Sequence, residues 1–267
     1  MRPVYPMTSA PPDPLAQRFC EAIHELPAKR KAECCKSSPG FTVIEQCTRT
    51  LSFALREKAV TLAPTDVDKC AEAMAKSVEG CDWVAPLPPY VPAACDGIIR
   101  GTLVEGTRCR ASLECADNLR CLGAGPTEPG RCSKPLPRGG PCSHAVDTLA
   151  AYTAQSSSDA RHPECAGYCA KRWCADAVPV GGACESTTEC GPERYCVSGH
   201  CAEGSLPAAG QPCLAGLCAK GDRCVKGKCL AAGAIGDRCD NDTDCRSGCE
   251  KPASGGAGKC FMKCWAK

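Results

Sequence analysis

Cysteine placement limits what this chain can fold into more than any other feature. In Gly181–Cys201, GGACESTTECGPERYCVSGHC, four cysteines follow a Cys-x5-Cys-x5-Cys-x4-Cys rhythm. Variants of it recur as Cys109, Cys115, Cys121 and Cys132; Cys142, Cys165, Cys169 and Cys174; Cys184, Cys190, Cys196 and Cys201; Cys213, Cys218, Cys224 and Cys229; and Cys239, Cys245, Cys249 and Cys260. Repetition of this kind predicts an array of units. Each unit is too short for an apolar core and must be held by cross-links. A glycine stands three residues before the first cysteine of every group (Gly106, Gly139, Gly181, Gly210, Gly236), as a turn into each unit requires. An acid precedes the second cysteine in several groups, among them Glu114, Glu189 and Asp244. Short hairpins and turns are expected here, without helix. The exception is an insertion in the second group, Ser143–Glu164, where Asp147–Ala154 suits a helical turn or two and Gln155–Arg161 reads as a mobile loop tip.

With 28 cysteines in 267 residues, the chain is above the level at which a disulfide scaffold becomes the default. It has 4 Phe, 3 Trp and 5 Tyr, too few to fill a large core in the cysteine-rich half. So many cysteines imply an oxidising compartment, extracellular, cell-surface or periplasmic. The N-terminus, MRPVYPMTSAPPDPLAQRF, carries no apolar export segment, and the conflict is resolved in favour of the cysteines: either a signal was trimmed or the recorded start lies too far downstream. A net charge of +2 gives no field that would steer the chain to nucleic acid. No apolar run approaches a membrane span, so membrane attachment would need a lipid anchor outside this sequence.

Before the repeats, four segments follow from composition. Residues 1–13 are Pro-rich and polar and read as a disordered tether. Residues 14–83 read as a helical, disulfide-stapled domain. A first helix opens at Pro14, a second at Pro27, and Ser37-Ser-Pro-Gly40 breaks it. Thr42-Val-Ile-Glu45 has the form of a capping box, and Thr65-Asp-Val-Asp68 starts the last helix, with Gly80 as its stop. Cys20, Cys34, Cys35, Cys47, Cys70 and Cys81 suffice for three internal bridges, with the adjacent Cys34 and Cys35 tying different helices. Residues 84–94, VAPLPPYVPAA, read as a semi-rigid linker, supported by even cysteine counts on both sides; residues 95–267 hold the tandem repeats. Cys95 and Cys264 do not fit a four-per-unit frame. Either they pair with each other and close the array, or the frame is shifted and bridges join neighbouring units. The expected fold class is therefore small disulfide-rich modules of short β-hairpins and turns in tandem, preceded by an α-helical disulfide-stapled bundle.

Two resemblances bear on this. The spacing of Cys184–Cys201, with Glu189 before the second cysteine and Tyr195 before the third, resembles the Dickkopf N-terminal cysteine-rich domain, and CDNDTDC (239–245) is similar to that family's opening. Similar spacings occur in cysteine-rich secreted proteins and lipoproteins of bacteria, whose Ala-, Gly-, Pro- and Arg-rich composition this chain shares. The resemblance implies a secreted disulfide module. In the animal family that module belongs to secreted Wnt antagonists that bind receptors, but the helical region has no counterpart there and no residue maps to a receptor contact. The Cys34–Cys35 pair is similar to that of plant lipid-transfer proteins, from which this segment departs in having six cysteines rather than eight and no Cys-x-Cys. That similarity implies a lipid-holding cavity between the helices; a solid stapled bundle is the favoured expectation.

Sites of chemistry are sparse. Zinc sites usually need short paired Cys-x2–4-Cys spacings; Cys-x2-Cys occurs nowhere, and the x3 gaps lack consistent second pairs. Asp240, Asp242 and Asp244 suggest calcium, but an EF-hand loop would want Gly and Glu where Cys245 and Lys251 stand. His24, His144, His162 and His200 have no nucleophile motif beside them. No catalytic, metal-binding or cofactor-binding residue is therefore assigned. One pattern has functional content: a Gly-basic-Cys triplet closes four units, placing Arg131, His200, Lys228 and Lys259 as a possible anion-binding stripe. The expected role is an exported, non-enzymatic binding, adhesion or structural surface protein whose partner is an extracellular protein or glycan. The alternative is a protease inhibitor presenting disulfide-clamped loops.

Overall fold

The computed structural model describes residues 4–7, 10–84, 91–142, 147–155, 164–191, 194–197, 199–203, 207–214, 218, 222–252 and 256–264. Asp13 caps the first helix, α1 (Pro14–Cys20), its carboxylate accepting the Leu15 and Ala16 amides. The sequence predicts a break before Pro27. Instead the helix continues through a π turn (Glu21–Glu25) into α2 (Leu26–Cys35). The Leu26 amide reaches back five residues to the Glu21 carbonyl. That wider turn accommodates the proline, whose ring would clash with the preceding turn of a regular α-helix. Helix α2 ends at Lys36 in the left-handed conformation.

Helix α3 (Ile44–Arg56) is capped at Val43 with no side-chain cap bond. The expected capping box is therefore not formed: the helix starts one residue too late for Thr42 to cap it. Helix α4 (Pro64–Ser77) begins at its proline, one residue before the expected Thr65, with Asp66 in its first turn. Gly80 takes φ +67° beyond its end. The bundle interior is solid. Phe19, Leu51, Val67 and Met74 are completely buried, together with Cys20, Cys47 and Cys70.

That core extends past the Pro-rich segment, of which residues 85–90 lie outside the described residues. Ile99, Ala111 and Leu149 complete it. Strand β1 (Val60–Thr61) pairs antiparallel with β2 (Arg100–Gly101). A side chain at Gly101 would meet the Cys115 carbonyl oxygen at 2.3 Å, so this close approach requires glycine. The insertion supplies α5 (Thr148–Tyr152), capped by Asp147, and its Leu149 plugs the helical core. Gln155, read from sequence as part of a mobile tip, is buried. It accepts the Gly97 amide and donates to the Cys95 carbonyl. The rest of that tip, 156–161, is outside the described residues.

Residues 4–7, Val-Tyr-Pro-Met within the stretch read as a tether, carry an anchor. The Tyr5 ring is buried edge-on against Phe53, and its hydroxyl donates to the Glu114 carboxylate at 2.8 Å. Arg49 holds the Tyr5 carbonyl, and Arg110 lies 4.5 Å over the Phe53 ring while donating to the Val4 carbonyl. A buried aromatic with a satisfied hydroxyl offsets the entropy of ordering this segment.

Small disulfide-rich units follow. Their strands are β3 (Arg108–Cys109), β4 (Arg120–Leu122) and β5 (Gly130–Ser133); β6 (Tyr168–Ala170) and β7 (Trp173–Ala175); β8 (Arg194–Val197) and β9 (His200–Glu203); β10 (Asp222–Val225) and β11 (Lys228–Ala231); and β12 (Arg238–Cys239), β13 (Cys249–Glu250) and β14 (Gly258–Cys260). In each, the third and fourth cysteines face each other across an antiparallel pair, as Cys196 faces Cys201. They do not bond to each other. The first cysteine bridges to the third and the second to the fourth: Cys109–Cys121 and Cys115–Cys132, Cys142–Cys169 and Cys165–Cys174, Cys184–Cys196 and Cys190–Cys201, Cys213–Cys224 and Cys218–Cys229, Cys239–Cys249 and Cys245–Cys260. Both strands of every hairpin are thus stapled to the loop before them.

The remaining bridges correct three expectations. Cys20–Cys47 and Cys34–Cys81 stay within the helical region, but Cys70 pairs with Cys95 and Cys35 with Cys264. Cys95 and Cys264 are therefore not partners. Nor are the six helical cysteines self-contained: two of them reach outside, one in each of two bridges, and an even count on each side of a boundary is unchanged by such an exchange. Cys34 and Cys35 do not tie two different helices: Cys81 lies past the end of α4 and Cys264 past the end of β14, and the two bridges diverge because successive helical side chains point about 100° apart. No helix among the described residues is long and apolar enough to cross a membrane.

Candidate binding groove

A concavity lies outside the bundle interior, along the flank of α2. It has a volume of about 600 Å³. One wall is a helical stripe, Ile23, His24, Pro27, Ala28, Lys31, Ala32 and Cys35, spaced by threes and fours so that all share one face. The other wall is the segment after α2, including Gly40, Phe41, Thr42 and Val43. Val91, Ala154 and Cys264 close it, so the Cys35–Cys264 bridge forms part of its lining. Thr42, freed from capping α3, lines this groove instead. The Phe41 ring is 89% exposed at the rim, an unusual cost for a large apolar side chain with no partner.

Three polar features shape the groove. Among the described residues the lining contains no carboxylate; its ionisable groups are Lys31 and His24. His24 Nε2 lies 2.7 Å from the Tyr152 carbonyl oxygen, which can only accept, so Nε2 carries the proton. Burial lowers the His24 pKa, and the carbonyl bond opposes only part of that, which keeps the ring neutral at neutral pH. Burial likewise lowers the pKa of the Lys31 ammonium. On the same helix Lys29 is paired with Glu25 at 2.8 Å and Arg30 with Glu33 at 3.0 Å. Neither pair belongs to the lining. The arrangement is suited to holding an apolar body against a wall that carries one cation.

The residues singled out by sequence are placed elsewhere. Arg131, His200, Lys228 and Lys259 all sit exposed on the last strand of their units, next to a buried cysteine. Arg131 Nη1 donates to the Gly106 carbonyl. Register puts Arg108 directly opposite Arg131, and Arg238 opposite Lys259. Tyr195 is half-buried on β8, opposite Ala202. His144 and His162 lie outside the described residues.

The acids before the second cysteines are framework. Glu114 accepts the Arg110 amide at 2.6 Å, Glu189 the Glu185 amide at 3.0 Å and Asp244 the Asp240 amide at 2.7 Å. In each case the donor is the residue after the first cysteine. Asp242 is likewise engaged, by the Cys249 amide and by Lys263 at 3.0 Å, and these bonds lower its pKa. Two of the acids that suggested calcium, Asp242 and Asp244, are therefore used to shape a turn. Three sulfurs crowd within 4.8 Å in each unit, such as Cys184, Cys190 and Cys201, but every cysteine is in a disulfide and offers no thiolate to a metal.

Sequence reading missed the groove, Tyr5 and Gln155. The one signal for the groove was Phe41, an aromatic stranded after Ser-Ser-Pro-Gly where nothing local could bury it. Comparison with protein-family models, with curated proteins and with solved structures finds no match to this chain.

Proposed function

We infer that this is an extracellular or periplasmic cysteine-rich protein of an oxidising environment, a reading supported by fourteen disulfides with every cysteine paired. We propose that it is a non-enzymatic binding protein in which the five cysteine units form a tandem array beside a helical ligand-binding region. The observation that carries the reading is the groove: about 600 Å³ is within the range of roughly 300–1,000 Å³ typical of small-ligand sites, and apolar walls dominate it. The test uses the neutral apolar dye Nile red with the oxidised full chain. Saturable one-to-one binding is expected, weakened at least about tenfold by Ala28→Trp, since excluding an apolar body from such a wall forfeits one to several kcal/mol. No saturable binding, or binding indifferent to Ala28→Trp, would remove the groove as the site.

A second reading is favoured by the strand register. Like charges directly opposite each other on a sheet are destabilising. Two units nonetheless oppose Arg108 to Arg131 and Arg238 to Lys259, the latter facing Glu250 on its other side. We propose that these pairs, with His200 and Lys228, meet an acidic glycan. Retention on a heparin column should fall when Arg131 and Lys259 are replaced by Ser; unchanged retention would end this reading.

A further inference from the structure

We propose that the ligand of the α2 groove is a neutral long-chain alcohol, its chain lying along α2 and its hydroxyl donating to Nδ1 of His24. The proposal rests on the groove reading above and adds the chemistry of the ligand.

The helix gives the site its shape. Lining residues follow one face from Ile23 to Cys35, and the ten residues of α2 alone span about 15 Å. The site is therefore a trough, with Ile23, Pro27, Ala28 and Val43 as apolar positions along it. An extended flexible chain covers such a wall over its length, and each methylene taken out of water contributes to binding. Phe41 stands at the rim with its ring in solvent, and an alkyl chain in the trough would give that ring an apolar partner.

His24 sets the head group. It stands at one end of the helical wall, and its two ring nitrogens have opposite roles. Nε2 lies 2.7 Å from the Tyr152 carbonyl oxygen and must donate. The ring is neutral, because burial lowers its pKa, so Nδ1 carries a lone pair and no proton. Nδ1 has no hydrogen-bond partner among the described residues. A half-buried acceptor left in that condition is costly, and a donor on the ligand would remove the cost.

Charge narrows the choice of donor. A carboxylate can only accept, and at Nδ1 it would set lone pair against lone pair. Nor does the wall hold a cation in reserve for it, because Lys31 has an interaction of its own. An ammonium head would find no carboxylate among the described lining residues and would share the groove with the positive Lys31. A hydroxyl donates without carrying charge and so meets both conditions. The hydroxyls of Ser37, Ser38 and Thr42 on the other wall both donate and accept, and they neither favour nor oppose this head group.

The test displaces Nile red from the oxidised full chain near neutral pH with decanol, with decyl methyl ether and with decanoate. The ether keeps the chain and the oxygen but has no proton to donate. Decanol should compete about three- to tenfold better than the ether, as one net hydrogen bond contributes, and better than decanoate. In His24→Phe, with near-ultraviolet circular dichroism confirming the wild-type fold, decanol should fall to the level of the ether and the ether should be unchanged. A preference for decanol that persists in folded His24→Phe would overturn the role of His24. Equal competition by decanol and ether on wild type, a comparison that needs no variant, would overturn the alcohol class while leaving the groove as an apolar site; so would stronger competition by decanoate. Absence of saturable Nile red binding would overturn the groove reading and this proposal with it.

Discussion

At the scale of single residues, the units depend on a few backbone positions. The glycine three residues before the first cysteine takes a positive φ in every unit: 81° at Gly106, 84° at Gly139, 81° at Gly181, 94° at Gly210 and 95° at Gly236. Each donates its amide to the carbonyl of the unit's last cysteine, as Gly181 does to Cys201 at 2.7 Å. Space is not the constraint, since a side chain at Gly181 would meet nothing within 4 Å. The left-handed conformation is, and it costs other residues about 1–2 kcal/mol. Gly181→Ala should destabilise its unit by that amount, seen as faster proteolytic nicking at unchanged disulfide content, while Gly125→Ala, at a glycine without positive φ, should be neutral. A second residue-scale device is the buried acid pair. Burial raises the pKa of Glu114, against the bonds from the Arg110 amide and Tyr5, and burial raises that of Asp147, against the Ala150 and Leu113 amides. A folded-state pKa above the unfolded one means the native protein holds the proton more tightly. The associated stability is complete below the ordinary carboxylate range and is lost as pH rises through the raised native values. Denaturant unfolding of Glu114→Gln between about pH 4 and pH 7 should therefore show a flatter decline than wild type. An identical decline would place the pH dependence elsewhere.

At the scale of elements, helix and hairpin were legible to different degrees. The apolar stripe of α3 and α4 could be read directly because three-four spacing is a local property, and Cys47, Leu51, Val67 and Met74 are buried as that spacing demands. Helix boundaries were less legible. Pro27 reads locally as a first-turn residue, yet tertiary packing keeps the helix running through a π turn, with Ile23 and Pro27 both buried. Thr42 and Glu45 make a correct local capping pattern that goes unused. The start of α3 is set instead by the path of the chain from α2, which turns Thr42 into the groove wall. In the third and fourth cysteine units the hairpin turns hold Gly199 and Gly227 of the Gly-basic-Cys triplets, whereas Gly130 and Gly258 of the first and fifth lie on strands. The crossed bonding of first to third and second to fourth cysteine was not legible, because spacing alone permits three connectivities.

At the scale of the whole molecule, one bridge has consequences beyond stability. Cys35–Cys264 joins residues 229 apart and lies in the groove. Replacing both cysteines with serine should leave the five units' own bridges intact on peptide mapping, yet weaken ligand binding in the groove, because the C-terminal segment would no longer be held against α2. Full retention of binding would show that the remaining contacts hold it in place. The cysteine rhythm by itself determined the class of this protein, an oxidised chain of small stapled units, and hydrophobic spacing determined its helices. These are short-range facts: a repeat and a periodicity are written in neighbouring residues. Only the tertiary structure decided that Cys70 and Cys35 leave the helical region for partners beyond it, that Tyr5 and Gln155 anchor segments that read locally as loose, that Leu149 enters the helical core, and that a groove opens along α2. Each of these depends on which surfaces meet across long stretches of chain. Cysteine parity and local composition carry no information about that, because exchanging partners between regions changes neither.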